Sequence, residues 1–247
     1  MFEQKINAIR ERTEIVVLPE MFSTGFSMDA ATLAETMEGD TVQWMQRMAA
    51  QKKIILTGSV IIREADHFYN RLLWVLPNGQ IGVYDKRHRF AFAGEDNHYT
   101  AGNKRLIASV KGWRINLQVC YDLRFPVWAR QGTAHMQAES QTTEPEYDLL
   151  INVANWPERR KHAWKTLLQA RAIENQCYVA GVNRVGHDGN NIHYSGDSMI
   201  IDPLGEVLYT KENEEAVHTV LLQKEKLRDT RNKFPFWKDA DSFSIIP

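Results

Sequence analysis

Ile115-Asn116-Leu117-Gln118-Val119-Cys120-Tyr121-Asp122-Leu123-Arg124-Phe125-Pro126 is the stretch on which the fold turns. Trp113, Ile115, Leu117 and Val119 alternate with polar neighbours, the period-two pattern of a strand with one face in a core. The pattern stops at Cys120, where the polar Tyr121-Asp122-Leu123-Arg124 begins a turn. A strand end holds a side chain rigidly while letting it face a cleft. Cys120 is therefore either a reactive thiol or one more small buried hydrophobe, the commoner fate of a free cysteine.

Downstream, Gln131 to Glu146 is polar and aperiodic and reads as a surface insertion. A strand follows from Tyr147 to Val153, ending at Ala154-Asn155-Trp156-Pro157. Glu158 to Gln176 has the best helical pattern in the chain, with Trp164, Leu167, Leu168 and Ala172 on one face. Cys177 to Val182 is strand, and Tyr194 to Tyr209 is a hairpin turning at Pro203-Leu204-Gly205. The tail from Lys224 to Pro247 is charged, then aromatic, and should pack back on the body through Phe234, Phe236 and Trp237.

Upstream, Phe2 to Arg12 reads as a short amphipathic helix. Ile15-Val16-Val17-Leu18 is a continuous apolar run, typical of a strand covered on both faces, and it ends at Pro19-Glu20. A helix opens near Asp40 as N-cap, with Val42, Met45, Met48 and Ala49 at helical spacing. Lys53 to Ile62 is strand. Arg71 to Leu76 and Gln80 to Tyr84 flank Pro77-Asn78-Gly79, a hairpin signal, and the second of these strands runs out at Asp85-Lys86. Strands alternating with helices, with no linker between halves, indicate one α/β domain over 1–247 with a mixed sheet, or two sheets sandwiched between helices.

Composition bounds the partners. The chain has 247 residues, is 43% hydrophobic and 25% charged, and carries a formal net charge of −1, so nothing electrostatic favours nucleic acid or an anionic membrane surface. No apolar run approaches transmembrane length, and the polar start is unlike a signal peptide. Two cysteines and no C-x-x-C pair argue against a disulfide framework or structural zinc, and a reducing cytoplasm fits best.

Three strands end in a reactive side chain: Glu20, Lys86 and Cys120. A carboxylate that removes the thiol proton, a thiolate that attacks, and an ammonium that stabilises the oxyanion are the parts for acyl transfer. Taken singly, Glu20 and Lys86 are as readily solvated surface charges, the usual state of such residues. Together at three strand ends, the surface explanation loses ground.

Leu18-Pro19-Glu20-Met21-Phe22, Tyr84-Asp85-Lys86-Arg87-His88 and Cys120-Tyr121-Asp122-Leu123-Arg124-Phe125-Pro126 resemble, in order, the three motif blocks of the nitrilase superfamily of carbon–nitrogen hydrolases. Asn152 to Pro157 and Arg171 to Gln176 resemble two further segments, so the likeness runs from about Ile15 to Tyr209. Within the superfamily the chain is most similar to the Nit2-like branch and its bacterial omega-amidases, through Glu20 to Phe26, Asn155-Trp156-Pro157 and Phe234-Pro235-Phe236-Trp237. The resemblance implies a four-layer α-β-β-α sandwich with mixed sheets, commonly a homodimer, that needs no metal or organic cofactor.

It also implies roles: Glu20 as general base, Lys86 and the Tyr121 N–H as oxyanion partners, Cys120 as nucleophile, and Glu95 as a second active-site glutamate. The implied substrates are omega-amides of dicarboxylic 2-oxo acids, such as 2-oxoglutaramate and 2-oxosuccinamate. Phe26, Tyr121 and Trp156 would wall the pocket with Asn155 beside them, although core packing is the ordinary role of such aromatics. Arg159, Arg160 and Lys161 are candidates for the substrate carboxylate, and equally the solvated start of a helix. Two departures stand out. The family's first strand has no counterpart here, which predicts an exposed sheet edge, and the 131–146 stretch is longer than the family connection.

Other readings use the same residues. A nitrilase or an N-carbamoyl amide hydrolase would share them, and a non-catalytic binding protein could be built on the same fold. A Cys–His thiol protease has no histidine nominated by its sequence context; His88, His162 and His193 read as surface or packing residues, and Cys177 as structural.

Overall fold

The computed structural model describes residues 1–131, 145–241 and 243–245. In chain order its elements are α1 (Phe2–Ala8), β1 (Ile15–Val17), α2 (Ala30–Leu33), α3 (Asp40–Lys52), β2 (Ile55–Glu64), β3 (His67–Val75), β4 (Ile81–Asp85), α4 (Glu95–His98), β5 (Ile107–Val110), β6 (Trp113–Val119) and α5 (Pro126–Ala129). Beyond residue 144 come β7 (Leu149–Ala154), α6 (Lys161–Asn175), β8 (Tyr178–Asn183), β9 (Val185–His187), β10 (His193–Ile201), β11 (Val207–Glu212) and α7 (Lys224–Lys233).

These strands form two mixed sheets. The first is four-stranded, in the order β1-β2-β3-β4. The second is seven-stranded, in the order β11-β10-β8-β7-β6-β5, with β9 paired to β10. β6, β7 and β8 run parallel at its centre, so their carboxyl ends open on the same side.

The alternation in the sequence explains the layers. Ile115, Leu117 and Val119 of β6, with Ile151 and Val153 of β7, meet Ile55, Leu72, Trp74 and Tyr84 of the other sheet in an inner core. On the outer side of the first sheet, α3 presents Val42, Met45, Met48 and Ala49 to Leu56, Val60 and Leu73. On the outer side of the second, α6 lays Trp164, Leu168 and Ala172 on Leu150, Ala154 and Val179. The result is the α-β-β-α sandwich that the resemblance implies. Each fully buried Val, Leu, Ile or Met among them contributes about 1.5–3 kcal/mol.

Several boundaries differ from expectation for local reasons. The helix at Phe2 stops at Ala8, short of Arg12, because Ile9 turns extended with φ −62° and ψ 124°. β1 has core on both faces, Ile15 and Val17 on one and Val16 on the other, but it pairs only with β2 and is half-buried at the sheet edge. Asp40 is the first residue of α3 rather than its cap; Gly39 takes that place, and the Glu35 carboxylate accepts from Thr41 N at 2.9 Å. A Cβ on Gly39 would lie 2.1 Å from that carboxylate. The Pro77-Asn78-Gly79 hairpin forms as expected, with Gly79 at φ 86°.

Of the expected insertion, residues 132–144 lie outside the described residues. Gln131 is buried rather than on the surface, donating through its side-chain amide to Asn175 O and accepting from Tyr147 N. The tail docks by charge more than by aromatic packing. α7 seats Leu227 and pairs Arg231 and Lys224 with the buried Asp148, while Phe236 stays 63% exposed.

Candidate active site

Glu20, Lys86 and Cys120 meet between the two sheets, each delivered by a strand that ends there. Glu20 follows β1 and is fixed by a turn in which Met21 adopts φ 42° and donates its N–H to Ser59 Oγ at 2.8 Å. Lys86 follows β4; its N–H donates to Asn70 O and its carbonyl accepts from Gly102 N, both at 3.0 Å. Gly102 permits that approach, because a Cβ there would sit 2.0 Å from Asp85 O. Cys120 opens a 3₁₀ turn over Cys120–Arg124 with φ 46°, an unfavourable conformation for a residue with a side chain. It turns the thiol out of the strand and into the cleft.

The floor of the site is a closed ionic cluster. Lys86 Nζ lies 3.0 Å from Glu20 Oε1 and 2.9 and 2.8 Å from the two oxygens of Glu95. All three side chains are at most 1% exposed. Glu20 Oε2 accepts from Asn155 N at 2.8 Å, and Asn155 O lies 4.0 Å from Cys120 Sγ. Burial disfavours the Lys86 ammonium, but Glu20 and Glu95 outweigh it and hold its pKa well above the ordinary value. Burial pushes the Cys120 thiol well up, and the Glu20 carboxylate hydrogen-bonded to it pushes further than Lys86 pulls back. The resting sulfur is therefore held as the thiol, and thiolate forms only by proton transfer to a base in contact.

Above the floor is a cavity of about 300 Å³, lined by Cys120, Lys86, Asn155, aromatic rings and arginines. Phe26 stands with its ring centroid 5.4 Å from Lys86 Nζ, and Tyr121 packs edge-on to Phe90 at 5.0 Å. Trp156 lines the cavity too, although it is only 4% exposed and belongs mainly to the core beside Trp164. Asn155 reaches the cavity while tied at both ends to Glu20, since its Nδ2 also donates to Glu20 O at 2.6 Å. Of the three expected cations, Arg159 and Arg160 line the cavity. Lys161 does not, and turns to Glu158 and Glu212.

Sequence reasoning missed three residues. Arg124 lines the cavity with its guanidinium 4.9 Å over Trp156, as Arg160 stacks 5.0 Å over Phe90. Burial, reinforced by the guanidiniums of Arg159 and Arg124, lowers the pKa of Arg160. Asp122 is fully buried and ties the blocks together: it accepts from Val119 N at 3.0 Å, Tyr84 Oη at 2.7 Å and His88 N at 2.9 Å. His88 bonds the same carboxylate and stacks on Phe125 at 3.7 Å, the packing role expected of it. Asn70 donates to both glutamates. Arg124 and Asp122 lie inside a quoted motif, but only their position in space reveals what they touch. Asn70 had no signal at all.

A thiol, a carboxylate and an ammonium at converging strand ends of two facing sheets are the parts that thiol-dependent attack on a carbonyl requires. Among the described residues no histidine lines the cavity. The chain belongs to the carbon–nitrogen hydrolase family, whose model matches residues 3–232. It is 46% identical to the omega-amidase YafV of Escherichia coli (strain K12) over 99% of this chain and 90% of that protein. It is 33% identical to a 2-oxoglutaramate amidase of Bacillus subtilis over 93% of this chain and 85% of that protein. It also matches the crystal structure of a CN-hydrolase superfamily protein of Xanthomonas campestris that has an arsenic adduct in its active site. That match has a TM-score of 0.93 and 45% identity, and covers 99% of this chain and 91% of that one.

Proposed function

We propose that this chain is an omega-amidase, hydrolysing the terminal amide of dicarboxylic 2-oxo acid amides such as 2-oxoglutaramate and 2-oxosuccinamate to the acid and ammonia. The observation that carries this reading is one cavity that holds both a nucleophile and a group of guanidiniums. Its floor holds Cys120 and Lys86, and its wall holds Arg124, Arg159 and Arg160. Among the described residues those three guanidiniums have no carboxylate partner, which suits an anionic substrate head. The two amidases to which the chain is similar support the same substrate class.

The steps follow from the contacts. Glu20 takes the Cys120 proton as sulfur bonds to the amide carbon, and the carbonyl π electrons move onto oxygen. Lys86 faces that oxyanion, with the Tyr121 N–H as second donor, since the first N–H groups of a helical turn have no partner inside it. The C–N bond breaks, Glu20 returns its proton to the departing nitrogen, and ammonia leaves a thioester. Glu20 then deprotonates a water that attacks the thioester; the C–S bond breaks and sulfur regains a proton. Glu95 holds Lys86 through both oxygens and so sets where the ammonium points.

The two sheets share one inner core, which supports a single domain. Ile173 on α6 is 55% exposed, with Leu204 in the turn beside it 50% exposed, which suits a homodimer through that face. Sedimentation would test it. Two unpaired thiols suit a reducing cytoplasm.

Ammonia release measured in parallel from 2-oxoglutaramate, an aliphatic nitrile and an N-carbamoyl amino acid tests the substrate class. The omega-amide should exceed the others in kcat/KM by about 100-fold or more. A preference for either alternative would replace this assignment with the corresponding hydrolase.

A further inference from the structure

Asn70 lies in the middle of β3, outside every motif, yet it touches three groups of the ionic floor. Its Nδ2 is 2.7 Å from Glu20 Oε1 and 3.3 Å from Glu95 Oε1. Its backbone carbonyl accepts from Lys86 N at 3.0 Å. It is 1% exposed, as buried as the groups it contacts. The amide orientation follows from its neighbours, because turning it would set Oδ1 against two carboxylates.

The cluster has an imbalance of charge. Two carboxylates face one ammonium, and like charges this close ordinarily retain a proton between them. Lys86 has three N–H bonds and directs contacts to Glu20 Oε1, Glu95 Oε1 and Glu95 Oε2. The backbone donors of the cluster each serve one glutamate alone, Asn155 N–H on Glu20 Oε2 and Phe90 N–H on Glu95 Oε2, and neither bridges the pair. Asn70 supplies two N–H bonds from one nitrogen, one for each carboxylate. Being neutral, it supports negative charge by hydrogen bonding without cancelling it, which a second cation would do at the expense of basicity.

We infer that Asn70 is a positioning residue that lets Glu20 and Glu95 share Lys86 without a proton between them, and so keeps Glu20 free to accept the proton of Cys120. This rests on the roles proposed above for Glu20, Lys86 and Cys120. It makes a part of β3 that bears no nucleophile, acid or base decisive for the pH range of the reaction.

The test compares Asn70→Leu, Asn70→Asp and Asn70→Ser with the unaltered protein. All three keep the backbone carbonyl that holds Lys86. The Leu variant deletes the donor, the Asp variant replaces it with a carboxylate at nearly constant volume, and the Ser variant keeps a shorter donor. With 2-oxoglutaramate, the acid limb of kcat should move up by about one pH unit or more in the Leu and Asp variants. On the acid side of the limb kcat should fall about tenfold for each unit moved, with KM changing by less than about threefold. The Ser variant should fall between them and the parent.

A purely structural role would lower kcat by one factor at all pH values, or lower Tm, and leave the limb in place. An unmoved limb in any donor-deleted variant with parental circular dichroism overturns the inference. Should the Leu and Asp chains fail to fold, the Ser variant decides on the same criterion. Absence of ammonia release by the parent, or full activity of Cys120→Ala, would instead defeat the proposed function. Asn70 would then be judged by the pH dependence of iodoacetamide alkylation at Cys120, which needs no substrate. An alkylation profile identical in parent and variants overturns it there.

Discussion

Nζ of Lys86 lies 3.0 Å from Oε1 of Glu20, with the lysine side chain 1% and the glutamate side chain 0% exposed. The two residues are 66 positions apart in the chain. An ion pair so desolvated is weak as a source of net stability, but breaking it by removing one partner leaves an uncompensated charge in the core. Lys86 serves two carboxylates, so its loss is felt twice.

Lys86→Met should therefore damage both activity and stability. Removing the oxyanion donor should lower kcat by about 100- to 1000-fold. Stranding Glu20 and Glu95 should cost about 3–5 kcal/mol, read as a Tm lower by roughly 10 °C. Steady-state kinetics and thermal melts check both, and a fully active, equally stable variant would refute the cluster's importance.

Cys120→Ala should abolish thioester formation and turnover. Iodoacetamide should label Cys120, which lines the cavity, and leave Cys177 unmodified in the folded chain. Cys177 is fully buried, and burial pushes its thiol up to about 12. Peptide mapping after a timed labelling reaction distinguishes the two; faster modification of Cys177 would contradict the assignment.

Arg124→Leu should separate binding from chemistry. Loss of a guanidinium that meets the substrate carboxylate should raise KM for 2-oxoglutaramate about tenfold or more, with kcat changed far less. A neutral amide without a carboxylate should show no such increase. Equal effects on both substrates would assign Arg124 to packing on Trp156 instead.

Asp148 governs the docking of α7. Burial would raise its pKa, but Lys224, the Arg114 N–H and Arg231 together hold it below the ordinary carboxylate range. A depressed folded pKa contributes stability above the unfolded value of about 3.9 that is lost as pH falls through the folded one. Asp148→Asn should thus be less stable at pH 7, by about 3 kcal/mol. Its stability should also change less than the parent's between pH 5 and the acid range. Urea unfolding across pH reads both slopes, and parallel slopes would remove Asp148 from the acid response.

The strand at Trp113–Val119, the helix behind it and the three strand-end residues were legible because periodicity and terminators are local properties. Each was written in consecutive residues, so the order of elements and the reactive side chains could be found along one line. The limits of that line appear at α7, where a polar helix is held by ion pairs to Asp148, and at Gln131, whose burial depends on Asn175 and Tyr147.

By itself, then, the sequence determined the alternation of strands and helices, the chemistry carried to each strand end, and the likeness to a hydrolase family. Only the tertiary structure decided which groups share a cavity: that Arg124 faces it and Lys161 does not, that Asp122 ties Cys120 to the strand of Lys86, and that Asn70 joins the two glutamates. The physical reason is that hydrogen bonds and ion pairs act over about 3 Å in space. Their partners here are separated by up to 135 positions, a distance over which no residue's type or spacing encodes its contact.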